Sequence, residues 1–517
     1  MTETPAPTLA PRWPAALAGV IGVGAAIATG ELVAGVVAGV PSPVLSIGRL
    51  IVDLQPAGAK DIVVAIFGTN DKLALEIFVT MVALLIGAGL GLLGVRRFGI
   101  AAGVISAFAV VGFVASLRDP DVSPGFAALA AGAQALVGAV VLQRLLALAQ
   151  ATGPAAPADP RRGMPDWGRR RLLIQGGGIA VASVAAAAIG RSLLEGQRAP
   201  VASAGPLPDA PKPATLPAGA DLGLPGLTPI VIPNGDFYRI DTALIPPNVD
   251  VATWRLKVTN LVDREIELTY DQLIQLPIVE QYTTIACVSN EVGGDLVGNA
   301  LWRGVPLRTV LDMAGVHANA SQLVGRSVDG FTVGMPTAWV MDESRVPLIA
   351  VGMNGAPLPR EHGYPARLIV PGLFGYVSAT KWLAELELTT LEAFDAFWIP
   401  RGWAKEAPIL TQSRIDLPRG GVAQAGTVPV AGVAWAPDRG IAKVEVAIDG
   451  EWHEARISTP ISSATWVQWR YDWTATAGQH TIEVRATDGT GEVQTADHSE
   501  PAPDGARGHH TIRVTVA

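Results

Sequence analysis

The chain of 517 residues contains one cysteine, Cys287. No intramolecular disulfide can form, and no Cys-based zinc or iron–sulfur centre can be assembled from this chain alone. Stability must therefore come from buried cores. Histidine is also scarce, and all seven (His317, His362, His453, His480, His498, His509 and His510) lie beyond residue 316. A bis-histidine haem between N-terminal helices is thereby excluded. Charged residues make up only 16% of the chain, no long basic run occurs, and the net charge is −8. Nucleic acid would find no electrostatic footprint here and is not an expected partner.

What is present is lopsided hydropathy. Long uncharged apolar runs are confined to the first 190 residues. Five stretches qualify as spanning helices, near 14–40, 73–94, 100–117, 125–147 and 172–190, because about 20 apolar residues cross the hydrocarbon core. Residues 1–190 are read as a transmembrane anchor in contact with membrane lipid. Two of the stretches carry an acid, Glu31 and Glu76. An intramembrane carboxylate suggests function by default, although Glu76 stands near its helix start and can snorkel to the interface. Arg96 and Arg97 join the second and third helices, and Arg161, Arg162, Arg169, Arg170 and Arg171 precede the fifth. The positive-inside rule makes those loops cytoplasmic and everything after the fifth helix extracytoplasmic. The run Trp167-Gly-Arg-Arg-Arg-Leu-Leu-Ile-Gln175 fits either a twin-arginine export signal placed internally or a plain positive-inside anchor. Ala202-Ser-Ala204 lies well past the apolar run, and no cleavage is expected there.

Residues 191–230 are rich in Pro, Ala and Gly and read as a semi-extended linker. From 231 to 407, short β-type runs such as Trp254–Val258, Thr283–Ala286 and Arg367–Val370 mix with helical pieces such as Leu307–Ala314, which predicts an α+β domain. From 408 to 517, alternating strands such as Ala442–Ile448 and His480–Ala486, with Asp449-Gly450 and Asp488-Gly489 as turns, predict an all-β sandwich. The fold class is multi-domain: a helical transmembrane bundle, an α+β domain and a β-sandwich.

In Thr283-Thr-Ile-Ala-Cys-Val-Ser-Asn-Glu-Val-Gly-Gly-Asp295, an apolar strand ends on the only cysteine and a polar, Gly-rich loop follows. A buried cysteine is ordinarily an inert small hydrophobe. A thiolate offered at a strand end is also a soft ligand for a metal. Together with Leu301-Trp-Arg-Gly-Val-Pro-Leu307, Asn354 to Gly372 and Gly375-Tyr-Val-Ser-Ala-Thr-Lys-Trp382, this segment resembles the sulfite-oxidase family of molybdopterin enzymes. The resemblance covers roughly 231–517. It extends to the terminal sandwich, which is similar to that family's immunoglobulin-like dimerisation domain and so implies a homodimer. It implies a molybdenum–molybdopterin cofactor with Cys287 as the catalytic thiolate ligand of the metal. It further implies cofactor contacts from Tyr238, Asp241, Thr242, Asn290, Asp329, His362, Arg367, Ser378, Thr380 and Lys381, with Arg239 and Ala379 beside them.

The chain departs from the family where substrate is held. Sulfite oxidases resemble one another in an arginine directly after Cys-x-x-Asn and a tyrosine shortly before Met-Asn-Gly. Here Asn290 is followed by Glu291 and Val292, and the tyrosine position is Val351. An acid in place of an anion-binding arginine disfavours sulfite. The expectation is oxygen-atom transfer on a small sulfur or other oxo-acceptor compound. Electrons would pass to or from an external carrier, a haem protein or a quinone-linked one. The competing reading is a membrane-held interaction module that keeps the fold without catalysis.

Overall fold

The computed structural model describes residues 12–54, 71–119, 122–150, 167–196, 206–244 and 246–517. The chain divides into two compact units, Met1–Ala199 and Pro200–Ala517. Arg161, Arg162 and the Ala202–Ala204 stretch lie outside the described residues.

The first unit comprises helices α1 (Arg12–Val36), α2 (Pro43–Leu54), α3 (Asp71–Ser116), α4 (Pro124–Gln150) and α5 (Trp167–Gly196). Among the described residues, four stretches are long and apolar enough to cross a membrane: Arg12–Val36, Lys72–Ser116, Pro124–Gln150 and Arg170–Gly196. A helix satisfies all its backbone groups internally, which hydrocarbon demands. The 46-residue α3 is broken at Arg97, whose φ and ψ are −140° and 62°. A Cβ built on Gly94 would lie 3.6 Å from that of Ala101, whereas seven residues of straight helix rise about 10 Å. The chain therefore reverses at Arg97, and the two limbs are the expected helices 73–94 and 100–117. The short helix α2 was not expected within the mixed-sign segment after residue 40.

Small residues set the packing around α1. A Cβ on Gly19 would lie 1.9 Å from the Gly87 carbonyl oxygen, and one on Gly91 equally close to that of Ala15. Backbones approach this closely only where side chains are absent. At the other end of α1, a Cβ on Gly35 would lie 2.3 Å from the Gly190 oxygen of α5. The two acids are explained here. Glu31 is buried, accepts from Ser42 Oγ at 2.5 Å, and lies 3.8 Å from Arg191. Arg191 also pairs with Glu76. Three helices thus share one arginine between two carboxylates.

The second unit holds the α+β domain and the sandwich. One five-stranded sheet has the order β2-β1-β10-β5-β6 (Ile266–Thr269, Arg255–Asn260, Leu383–Thr389, Gln322–Ser327, Thr332–Pro336). The other runs β3-β4-β7-β8 (Val279–Ala286, Val297–Pro306, Leu348–Met353, Ala356–Pro357), with β9 (Arg367–Ile369) pairing β7. Helix α6 (Tyr270–Ile274) starts on a capping box in which the Thr269 hydroxyl accepts from Gln272 N and the Gln272 side chain accepts from Thr269 N. The expected helix Leu307–Ala314, α7, buries Leu307, Val310, Leu311 and Ala314, the i, i+3, i+4, i+7 face.

The sandwich is built from β11 (Gln412–Leu417), β12 (Val422–Ala423), β13 (Gly426–Trp435), β14 (Ile441–Ile448), β15 (Glu451–Ile457), β16 (Val467–Ala475), β17 (Gly478–Asp488) and β18 (His510–Val516), in the order β11-β13-β16-β15-β14-β17-β18-β12. Asp449 and Gly450 both take positive φ, as a two-residue hairpin between β14 (Ile441–Ile448) and β15 (Glu451–Ile457) requires. The second expected turn is displaced. Strand β17 (Gly478–Asp488) runs on to Asp488, and Gly491 carries the positive φ. Period two along β17 buries Ile482, Val484 and Ala486, and it carries Asp488 onto the same face.

The linker reading needs correction over its second half. Residues 206–230 pack on the globular unit, burying Ala210, Ala220, Leu227 and Ile230. Gln468 accepts from Leu222 N at 2.7 Å and donates to the Thr228 carbonyl at 2.8 Å. Low periodicity in the sequence reflected an irregular strap whose partners include Glu280, Asp416 and Gln468, all distant in sequence. The two domains also share a core: Trp466 Nε1 donates to the Ile230 carbonyl, its backbone N donates to Thr284 Oγ1, and its ring joins the α+β cluster.

Asp488 accepts five hydrogen bonds, from Thr411, Arg439, Glu492 N and both the backbone and hydroxyl of Thr490. Burial pushes its pKa up, but those donors outweigh it and hold the carboxyl well below the usual range. Replacing Asp488 by Ala strands Arg439 and several donors. Stability in urea unfolding should fall by about 3 to 5 kcal/mol, and a loss below 1 kcal/mol would contradict this account.

Candidate functional site

The expected site residues converge between the two sheets of the α+β domain. Cys287 follows β3, is buried, and donates its backbone N to the Leu296 carbonyl at 2.9 Å. Asn290 accepts from Leu296 N at 2.8 Å through its side chain, so it closes the loop after Cys287 from inside. Arg367 opens β9 in the same sheet. Thr380 and Lys381 precede β10 in the other sheet, and the Leu368 N to Thr380 O bond, 2.9 Å, ties the two together.

Gly363 makes this convergence possible. Its φ is 111°, and a Cβ there would meet Lys381 Cα at 3.0 Å and Arg367 Cβ at 3.1 Å. Only glycine tolerates both the conformation and the approach. Lys381 and Arg367 are thereby held beside the short helical turn Arg360–His362.

Arg367 is 3% exposed and donates Nη1 to the His362 carbonyl at 3.1 Å. Its guanidinium lies over Trp302, 5.1 Å from the ring centroid. Burial lowers its pKa to about 10, opposed by Tyr238. Among the described residues no carboxylate pairs with it. Lys381 does have a partner: Nζ donates to Asp241 Oδ2 at 3.1 Å and to the Glu361 carbonyl at 3.0 Å. Burial pushes the ammonium down to about 8, with Asp241 opposing. Arg239 approaches the same Asp241 oxygen at 3.1 Å.

His362 is 4% exposed, and its Nε2 lies 2.9 Å from the Asn234 carbonyl. That acceptor places the proton on Nε2. Nδ1 is buried and makes no hydrogen bond, and the same is true of Thr380 Oγ1. Native structures rarely leave such groups without a partner. Burial, and then the neighbouring Cys287, raise the Tyr238 phenol, with Arg367 opposing. Tyr238, Cys287 and Arg367 therefore share one neighbourhood. A buried arginine without a carboxylate, two orphaned polar atoms and a buried thiol suit an anionic, hydrogen-bonding group that also presents a metal.

The side chains of some expected residues bond to nearby backbone. The Ser378 hydroxyl donates back to the Leu373 and Phe374 carbonyls, 3.2 and 2.9 Å. Asp329 Oδ1 accepts from Phe331 N at 3.1 Å, an Asx-type turn packed near Trp382 through the Val328 N to Trp382 O bond. Thr242 makes no hydrogen bond among the described residues.

Other residues escaped the sequence reading. Asn234 orients His362, and Phe237 packs edge-on against it with centroids 5.6 Å apart. Trp302 sat inside a quoted motif without a role. Arg414 of the sandwich donates to the Gly294 carbonyl at 2.8 Å, and a Cβ on Gly293 would lie 2.4 Å from the His510 ring. The sandwich thus braces the loop that follows Cys287. Contacts across more than a hundred residues leave no local signal.

Residues 243–398 match the oxidoreductase molybdopterin binding domain, and 414–484 match a bacterial Ig domain. The chain is 28% identical over 316 residues to mitochondrial sulfite oxidase of Mus musculus, covering 51% of this chain and 57% of that protein. It is 32% identical over 173 residues to a nitrate reductase [NADH] of Hordeum vulgare, covering 28% and 19%. The chain spans about half the length of the sulfite oxidases it matches. The sulfane dehydrogenase SoxCD of Paracoccus pantotrophus aligns with a TM-score of 0.49 at 23% identity, covering 56% of this chain and 82% of that one.

Acid should act on this site through His362. Burial first, with Arg367 and Lys381 adding to it against the pull of the Asn234 carbonyl, holds the imidazole at about 4 instead of 6.5. Between those values the unfolded chain binds the extra proton, so folding stability falls as pH drops through that window. In cofactor-free protein the loss should be on the order of 3 kcal/mol. His510, also held low by burial, contributes a separate part. Urea unfolding at pH 7 and pH 4 should show a smaller pH-dependent loss in His362→Gln than in the parent, and equal losses would refute the assignment.

Proposed function

Given a sulfite-oxidase-type molybdopterin-binding domain at residues 243–398, we propose that this protein is a membrane-anchored oxidoreductase whose globular unit works on the extracytoplasmic side. It moves an oxygen atom to or from a small sulfur or other oxo-acceptor compound and exchanges electrons with a separate haem protein or quinone-linked carrier. The observation that carries this reading is Arg367, buried without a carboxylate beside the orphaned His362 Nδ1 and Thr380 Oγ1.

Those groups fit a pterin cofactor with a phosphate tail. Arg367 supplies a permanent cation and a planar donor fork, and the Trp302 ring beneath keeps the fork from turning. Lys381 adds a second cation whose position is set by Asp241 and the Glu361 carbonyl. His362 Nδ1, unprotonated near neutrality, accepts from a ring N–H or hydroxyl. Thr380 Oγ1 can donate or accept. Tyr238, Asp241, Thr242, Asn290, Asp329 and Ser378 complete the proposed lining, several of them by shaping backbone. When bound, the cofactor supplies two-electron oxygen-atom chemistry at its molybdenum. The chain's part is to offer the Cys287 sulfur from a loop held at both ends by the Cys287–Leu296 and Asn290–Leu296 bonds.

Glu291 is exposed directly after Asn290. A carboxylate at that place repels a dianion, which favours a neutral or less charged substrate over sulfite. The second unit's sandwich is proposed to pair two copies.

The test is metal content beside a sulfur-to-oxygen exchange. The purified full chain should carry about one molybdenum per chain with extractable pterin. Cys287→Ser should keep the pterin and change the molybdenum EPR signal, with activity falling at least a hundredfold on any substrate a screen identifies. A folded parent without molybdenum would refute the reading in favour of a non-catalytic interaction module.

A further inference from the structure

A half-open cavity of about 300 Å³ lies in the helical unit, lined by α1, α2, both limbs of α3 and one residue of α4, with Phe78 and Phe108 partly exposed at its edge. Its walls are apolar, with Ile27 from α1, Ile47 from α2, Phe78 and Ile86 from the first limb of α3 and Phe108 from the second. Among the described residues no ionisable side chain lines it. Thr80 and Gln134 are its polar wall residues.

Gln134 is out of place in such a wall. It stands ten residues beyond Pro124, the first residue of α4, roughly 15 Å along the helix and so near mid-span. Its amide presses on the backbone of α1, where a Cβ built on Gly30 would lie 2.7 Å from Gln134 Cδ. It makes no hydrogen bond among the described residues. In hydrocarbon an unpaired amide is costly, and polar side chains at that depth ordinarily face a partner or a ligand.

We propose that this cavity binds a lipid-soluble quinone or quinol, with the Gln134 amide hydrogen-bonded to a ring oxygen. The absence of a lining charge rules against a carboxylate or phosphate headgroup, which would be left unpaired. A bare acyl chain would fill the apolar volume and leave the amide unsatisfied. A neutral flat ring with carbonyl or hydroxyl oxygens meets both demands, and Phe78 and Phe108 offer aromatic faces. Gln134 can donate to a quinone carbonyl or accept from a quinol hydroxyl, so one side chain serves both redox forms. The chain has a single cysteine, Cys287, and no histidine before residue 317, so its helices supply no histidine-ligated haem and no cysteine-ligated cluster. A diffusible carrier is what the proposed enzyme requires. The carrier role rests on the molybdenum reading, whereas the binding does not. Per turnover, a quinone would take two electrons from the oxidised substrate and two protons from solvent, forming two O–H bonds. A quinol would run the reverse in a reductase.

The experiment uses the full chain in lipid nanodiscs, titrated with a quinone bearing a ten-carbon tail and, separately, with palmitate. Saturable binding of one quinone per chain is expected. Gln134→Leu should weaken it about tenfold, the worth of one hydrogen bond. Ile47→Trp, which fills the cavity from α2, should abolish it while leaving size-exclusion behaviour and helical content unchanged. The proposal is overturned if quinone binding is absent, if Gln134→Leu binds as well as the parent, or if palmitate displaces quinone at equal affinity. Molybdenum analysis of the same sample separates the two readings. Quinone bound without molybdenum supports the cavity and refutes the enzyme, and molybdenum without quinone binding does the opposite.

Discussion

An arginine that stays charged at any physiological pH, sealed at 3% exposure with no carboxylate beside it, sets the terms for the α+β domain. Burying an uncompensated charge is among the most expensive things a fold can do. The surrounding elements hold Arg367 in place: β9 fixes its backbone, the His362 carbonyl accepts from it, Trp302 lies beneath it, and Gly363 lets Lys381 approach. The proposed anionic cofactor would complete this arrangement. The depressed pKa values of His362 and Lys381 come from the same burial. One constraint thus accounts for the orphaned atoms, the shifted groups and the crowded glycine.

The helical unit answers the same electrostatic problem within itself. Arg191 meets Glu31 and Glu76, so its charge is matched from two other helices. Close approach of Gly19, Gly35, Gly87, Gly91 and Gly190 brings the helices near enough for that network to form. The cavity lined by Gln134 is where this packing is incomplete.

The sandwich contributes more than a second core. Arg414 and His510 press on the loop after Cys287, and Trp466 sits in the α+β core. The sandwich therefore touches the loop after Cys287 directly at Gly293 and Gly294. This explains why the strap at 206–230, bonded to Gln468 and Asp416 of the sandwich, is ordered.

Periodicity and hydropathy alone place the apolar helices, α7, the strands around Cys287 and the alternating strands of the sandwich, because those patterns are local. The Arg367–Lys381 neighbourhood was legible through motif resemblance. The packed strap, the sharing of Arg191, the bracing by Arg414 and the roles of Asn234 and Trp302 were not, since each depends on residues distant in sequence. Asp329 and Ser378 show the converse: motif position marked them as ligands, while their side chains bond neighbouring backbone. The sequence by itself determined which segments are apolar, which alternate and which residue types can carry the chemistry, for these follow from side-chain identity and spacing. Only the tertiary structure decided which polar atoms are left without partners, because hydrogen-bond satisfaction is a property of the packed chain and of no single segment.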